Sequence, residues 1–424
     1  MMKKSEIIAC IKAIKKISDY ELTITDKDSR ELFYVKDHLE LNRAVKVTTA
    51  QIVIYVSDRK KTTTGSSNVM VTAADDKKSL TEKLKKAVRK AGETKNAYYP
   101  INTDRRDIKE KIEKKKDLNQ IATNVAKAVF KANVYKNGWI NATEIFVSQF
   151  RDEFINSRGA HHKVNRFKIE LECIPTWSNQ KEEFELYKFY ESNKADYKQI
   201  TAEIDEILNL AKARSNALTL KDVKIPDDVK VLVKGEMVDR IVMSLANDLS
   251  YRSKFMRNNH YETADVISET PFDLTLKGSI AGCAASRKID SHGIILKSCK
   301  VIQSGRANKM HGDLQFGHYL SVEKITGNMP VCELTAEGST YKRSPHLIID
   351  AFSSPQLEAD SGYWGGEVRL ARYWDGKKYV PLTGFSIAGS LYEDLKSVQF
   401  SKEEGQTSRY KGPQYMIFRG IKIS

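Results

Sequence analysis

Eight histidines and five cysteines are the residues of this 424-residue chain best suited to metal binding or nucleophilic chemistry, and their spacing argues against both. His311 and His318 flank Asp313 in a Gly-rich loop. A spacing of seven on an irregular segment matches no ligand pattern, so they read as loop hydrogen-bonding groups. His260-Tyr261-Glu262 sets an imidazole two residues from a carboxylate. On a helix such positions diverge by about 200°, and on a strand they share a face without a third partner. His161-His162 follow the Gly159 turn and read as solvent-exposed. Cys10, Cys173, Cys283, Cys299 and Cys332 are odd in number and contain no C-x-x-C pair, which predicts reduced thiols in a cytosolic protein. Neither a phosphate-cradling G-x-x-x-x-G-K-[ST] loop, a G-x-S-x-G elbow nor a G-x-G-x-x-G turn occurs, so nucleotide and serine-hydrolase chemistry have no support.

What the chain does carry is a series of glycine turns between short β-prone runs: Asp290-Ser291-His292-Gly293, Ser304-Gly305-Arg306, Ile325-Thr326-Gly327-Asn328 and Ala336-Glu337-Gly338-Ser339. Glu144, the turn Asn156-Ser157-Arg158-Gly159 and the run Gly384-Phe385-Ser386-Ile387-Ala388-Gly389 complete the set. In order and spacing these resemble the TldD/PmbA family, also known as modulators of DNA gyrase, over nearly the whole chain. The family is linked to a two-subunit zinc protease, whose TldD-type subunit carries a His-Glu…His helix that the PmbA (TldE)-type subunit lacks. By the resemblance, that helix should follow the strand Val229-Val233. Here it reads Gly235-Glu236-Met237-Val238-Asp239-Arg240-Ile241-Val242-Met243-Ser244-Leu245-Ala246-Asn247-Asp248-Leu249, without His or Cys. The family's third ligand, a Cys near the C-terminus, would fall in the stretch from Glu404 to Gly412, which also has none.

The resemblance therefore implies a PmbA/TldE-like subunit with no catalytic and no metal-binding residues of its own and no cofactor in this chain, the zinc residing in a TldD-like partner. Such a heterodimer would degrade or process small or unfolded peptides in the cytoplasm. In the family the Thr326-Gly327-Asn328 and Glu337-Gly338-Ser339 elements border the cavity that holds an extended peptide. Glycine at strand ends lets another backbone approach. The same turns can equally serve the fold alone. Two further readings are an autonomous peptidase with an atypical site, acting as a monomer or a homodimer, and a basic DNA- or gyrase-associated binding protein.

Composition bears on the last of these. The chain carries a formal charge of +15, and residues 1–150 hold 31 Lys and Arg against 19 Asp and Glu. Such a surface can attract nucleic acid. The basic residues alternate with Glu82, Glu110 and Glu113 and lack interleaved aromatics, which favours a solvated lysine face. No apolar run of about 18 residues occurs, so no membrane span is expected, and Lys12, Lys15 and Lys16 interrupt the first apolar stretch, unlike a signal peptide.

The elements that would position these turns are α+β in two domains. Ile7, Ile8, Ile11, Ile14 and Ile17 mark a first amphipathic helix, and Leu80, Leu84, Ala87, Val88 and Ala91 a second. Strands are predicted between them at Glu21-Thr25, Glu31-Val35, Leu39-Val47, Gln51-Val56 and Asn68-Thr72, giving an N-terminal helix and antiparallel-sheet domain over 1–100. A helical connector over 101–138 includes a helix from Ile108 through Val129. Residues 139–424 form a larger β-rich C-terminal domain, with strands predicted at Ala142-Ser148, Asp152-Ile155, Lys163-Cys173 and Lys181-Tyr190 before the glycine turns.

Overall fold

The computed structural model describes residues 1–110, 116–179 and 181–424. Its first sheet is antiparallel and built on two long strands, β1 (Asp19–Val35) and β2 (His38–Ser57). The four short strands predicted here are two long ones, because the polar segment Asp26-Lys27-Asp28 continues the ladder on a sheet with one open face. β3 (Thr63–Val71) and β4 (Asn96–Ala97) extend the sheet beyond β2. On the other side of β1 lie β5 (Gly138–Asn156), β6 (His161–Ser178), β7 (Glu183–Glu185) and β8 (Lys188–Ser192).

β5 pairs with β1 from Glu21↔Asn156 to Val35↔Ala142, so one sheet runs through both expected boundaries, at 100 and at 139. The alternation of Ile145 and Val147 identifies β5 as half-buried but says nothing about which sheet it joins. The helices cover one face. α1 (Lys4–Lys12) and α2 (Lys77–Glu93) place Ile7, Ile11, Leu80 and Leu84 against Leu22, Ile52 and Ile54. α3 (Leu118–Lys131) and α4 (Tyr197–Arg214) cover Leu32, Ile145, Val147, Ile169 and Leu171. α3 begins later than the predicted start at Ile108, since Asp117 caps it by accepting from the Gln120 N–H at 3.0 Å. Lys109 instead bridges to Lys163, and 111–115 lie outside the described residues.

The remaining chain forms a six-stranded and a nine-stranded sheet. In the larger, β9 (Lys230–Val233) is an apolar strand paired on both sides, parallel to His346–Leu357 and antiparallel to Met416–Phe418. Gly235, at φ +58°, turns the chain from β9 into α5 (Glu236–Asp248). The stripe Met237, Val238, Ile241, Val242 and Leu245 then sits in the main core with residues of both sheets, among them Leu274, Val301, Trp364 and Phe418.

Candidate functional site

Two cavities flank the elements singled out by the sequence. The first, of about 720 Å³, lies at the start of α5 and is lined by Glu236, Asp239, Lys234, Asp350, residues 186–191 and residues 404–408. Two strand edges border it. Among the described residues β8 pairs with β6 alone, and Glu404–Gln406 ends the six-stranded sheet. An extended peptide can add to an edge of this kind through main-chain hydrogen bonds.

The charges here are mostly paired. Lys234 contacts Glu206 at 2.7 Å and Asp350 at 3.1 Å. Glu236 is exposed and taken by Arg240 at 2.7 Å. Asp239 differs: its Oδ1 is buried without a hydrogen-bond partner, and burial raises its carboxyl to about 6 against the pull of Arg409 and Thr407. The nearby Cys283 and Cys332 are buried, and burial raises both thiols. Such buried thiols and a carboxyl raised toward neutrality must lose their protons before they can ligate zinc, and α5 offers no imidazole. Among the described residues no group of three or more His, Cys, Asp or Glu is placed to hold a metal ion. The described residues around the start of α5 do not make up a zinc ligand set.

The second cavity, of about 580 Å³, lies between the open face of the first sheet and residues 279–291; Glu21, Asp152, Arg166, Arg287, Asp290 and Asn328 are among its lining. Here the Asp290–Gly293 turn docks onto the sheet. Asp290 is buried, and its carboxylate accepts from the N–H groups of His292 and Ile294, each at 2.9 Å, and of Asn328 at 3.3 Å. His292 Nδ1 is 3.1 Å from Glu21 Oε2, which also accepts from the Tyr55 hydroxyl at 2.9 Å. Burial pulls the His292 pKa down, but the Glu21 carboxylate outweighs it and holds the imidazole at about 9. The Gly293 carbonyl accepts from Asn102 Nδ2 at 2.8 Å and lies 2.9 Å from His162 Nε2. Asn156, from the Asn-Ser-Arg-Gly turn, donates to the Asn102 carbonyl at 2.7 Å. Three separate sequence motifs thus meet in one buried polar network.

Of the residues expected to border a peptide, Thr326, Gly327 and Asn328 stand beside this turn. The Thr326 hydroxyl accepts from Gly312 N–H at 3.0 Å, and exposed Asn328 lines the cavity. Gly327 has φ +78°, and a Cβ there would meet Leu296 Cδ2 at 2.7 Å and Asp290 Oδ2 at 3.0 Å. Glu337, Gly338 and Ser339 lie elsewhere: Gly338 and Ser339 pair with Phe400 and Ser401, and a Cβ on Gly338 would fall 2.7 Å from Lys402 Cα. At both glycines the chain's own packing accounts for the missing side chain.

His162, expected to be exposed, is fully buried, because the Gly293 carbonyl and the Phe154 ring cover it. His161 contacts Glu153 at 2.7 Å. His311 bonds the Ala246 carbonyl at 2.7 Å, and Asp313 caps the short helix Leu314–Tyr319 that carries His318. His260 stacks on Tyr392 at 3.8 Å and contacts Asp248, while Glu262 pairs with Lys254. The ion pair His292–Glu21 escaped sequence reading. Its partners are 271 residues apart, and no local pattern links them.

The architecture is that of a known class: a helix-backed antiparallel sheet joined to two further sheets is the fold of TldE and of proteins described as putative modulators of DNA gyrase. TldE from Thermococcus kodakarensis superposes with a TM-score of 0.74 at 14% identity, covering 99% of this chain and 100% of that one. A putative modulator of a DNA gyrase from Thermotoga maritima gives 0.75 at 10% identity over 99% of each chain. Another from Bacteroides thetaiotaomicron gives 0.74 at 14%, covering 99% of this chain and 98% of its own. No protein-family profile and no curated protein matches the sequence. The likeness is one of fold, and it is the α+β fold expected from the turns.

Proposed function

We propose that this chain is a PmbA/TldE-type subunit that carries no zinc and assembles with a TldD-like, zinc-bearing subunit into a peptidase acting on small or unfolded peptides. The observation that carries the reading is the cavity at the start of α5. It pairs two strand edges suited to an extended backbone with a helix that carries neither His nor Cys. In such an assembly the partner supplies a Lewis acid and an activated water. This chain supplies walls and main-chain hydrogen bonds that hold the substrate.

Co-expression with a TldD-like protein from the same genome tests this. The expected result is a stable complex that retains zinc and cleaves an unfolded peptide, while the chain alone holds well under one zinc equivalent and cleaves nothing. Stoichiometric zinc held by the chain alone through dialysis against a weak chelator would overturn the assignment.

A further inference from the structure

Most of the charged groups lining the 580 Å³ cavity are engaged by neighbours, and Arg287 stands apart from them. Glu21 is occupied by His292 and Tyr55, and Asp290 by three backbone N–H groups. Asp152 accepts from Arg166 Nη2 at 3.1 Å and from the Thr25 hydroxyl at 2.8 Å. Lys168 pairs with Glu170 and Glu191, and Lys288 with Glu110. Arg287 has no carboxylate partner among the described residues. Its Nη1 donates to the carbonyls of Ala284, Ala285 and Ser286, at 3.4, 3.2 and 2.8 Å, which fixes the guanidinium plane. Nε and Nη2 have no hydrogen-bond partner among the described residues.

A half-buried guanidinium without a contacting carboxylate is costly, and the fixed plane presents the fork that a carboxylate fits in bidentate fashion. Burial and then the neighbouring Arg166 pull its pKa below the usual guanidinium value, and the carboxylates of Asp152 and Glu191, already paired with Arg166 and Lys168, offset this only in part. Asn328, whose side chain makes no hydrogen bond among the described residues, lines the same cavity and can add a neutral donor. We infer that this cavity is a carboxylate-binding site in which the free edge of Arg287 takes the anion and the Asn328 amide donates to it. The planar two-donor edge of one guanidinium matches a carboxylate, whereas a phosphate ester near neutral pH brings close to two negative charges. The carboxylate is that of a peptide, either its C-terminus or an acidic side chain. That source rests on the peptidase reading; the site itself does not.

Calorimetric titration of the purified chain, without any partner, separates the two. The probes are a neutral pentapeptide as free acid, the same peptide amidated, an amidated peptide with one Glu side chain, and inorganic phosphate. The free acid or the Glu peptide should bind, whichever binds tighter identifying the source, and the neutral amide should bind at least about tenfold more weakly, as for loss of a charge-assisted hydrogen bond. Arg287→Gln should abolish binding. Because it also disturbs three carbonyl contacts, Asn328→Asp serves as the second variant: it adds a repelling charge at an exposed position and should weaken binding about tenfold at an unchanged melting temperature. Binding of the neutral amide as tight as that of both carboxylate peptides, tighter binding of phosphate, unchanged affinity in Asn328→Asp, or no binding of any probe would overturn the inference. If the site holds while no peptidase complex forms, only the peptidase reading falls.

Discussion

Replacing Asp239 with Asn should stabilise the protein at neutral pH and leave it unchanged in acid. The carboxyl has one buried oxygen without a partner, and burial raises it to about 6 from an ordinary value of 3.8. A carboxyl raised in the folded state stabilises nothing on ionising. Below about pH 4 both states hold the proton and the group is neutral to stability. Between pH 4 and 6 the unfolded chain ionises first, stability falls, and above pH 6 the full cost remains. The shift from 3.8 to about 6 corresponds to about 3 kcal/mol. For 424 residues, at about 2.1 cal/mol/K per residue, that is about 3 °C in melting temperature. Asn keeps the shape and an acceptor for Thr407 without the charge. Thermal melts of both proteins from pH 4 to 8 should give curves that coincide at the acid end and separate to about 3 °C by pH 7.5. A variant less stable at pH 7.5, or an offset independent of pH, would refute the burial account.

Four further outcomes are expected. Glu21→Gln should lower the His292 titration, followed by imidazole NMR, by more than about one unit from its value near 9. The stability His292 gains from Glu21 is present in full below its ordinary pKa of 6.5 and is lost as pH rises through 9, so wild-type melting should fall on the alkaline side and the variant's should fall less. Gly327→Val should cost a few kcal/mol in chemical denaturation, from a branched residue at positive φ and contact with Leu296 and Asp290, and Gly338→Val should do so through its clash with Lys402. DNA binding by the chain, measured by anisotropy at physiological salt, should be no tighter than about 10⁻⁴ to 10⁻⁶ M, because basic side chains on and around α2 are partly neutralised by Glu6 and Asp75.

Local elements were largely legible in the sequence. The apolar spacing of Ile7 and Ile11 and of Leu80 to Ala91 marks the two helices on the first sheet, and Val229-Val233 reads as a buried strand, found as Lys230–Val233. The glycine turns gave the fold. What the sequence hid was assembly over distance. β5 alternates just as a strand of a separate domain would, and only its pairing with β1 assigns it to the first sheet. The same holds for the site: Asp290-Ser291-His292-Gly293 is visible as a turn, but Glu21, Asn102 and His162 converge on it from remote positions. Arg287 looks like any surface arginine until the structure shows every neighbouring acid already occupied.

The ladder between β1 and β5 also sets an order of events on the ribosome. β1 is made first, yet its second neighbour emerges more than a hundred residues later, and Glu21 meets His292 only after 271 residues have been made. Until then the nascent β1–β2 hairpin presents an unsatisfied edge with a carboxylate lacking its cation. Contacts of such separation slow folding and prolong the exposure of open strands. The first third of this chain therefore depends on its last third for a finished structure, and truncations after residue 100 should leave a product that chaperones hold rather than a domain that stands alone.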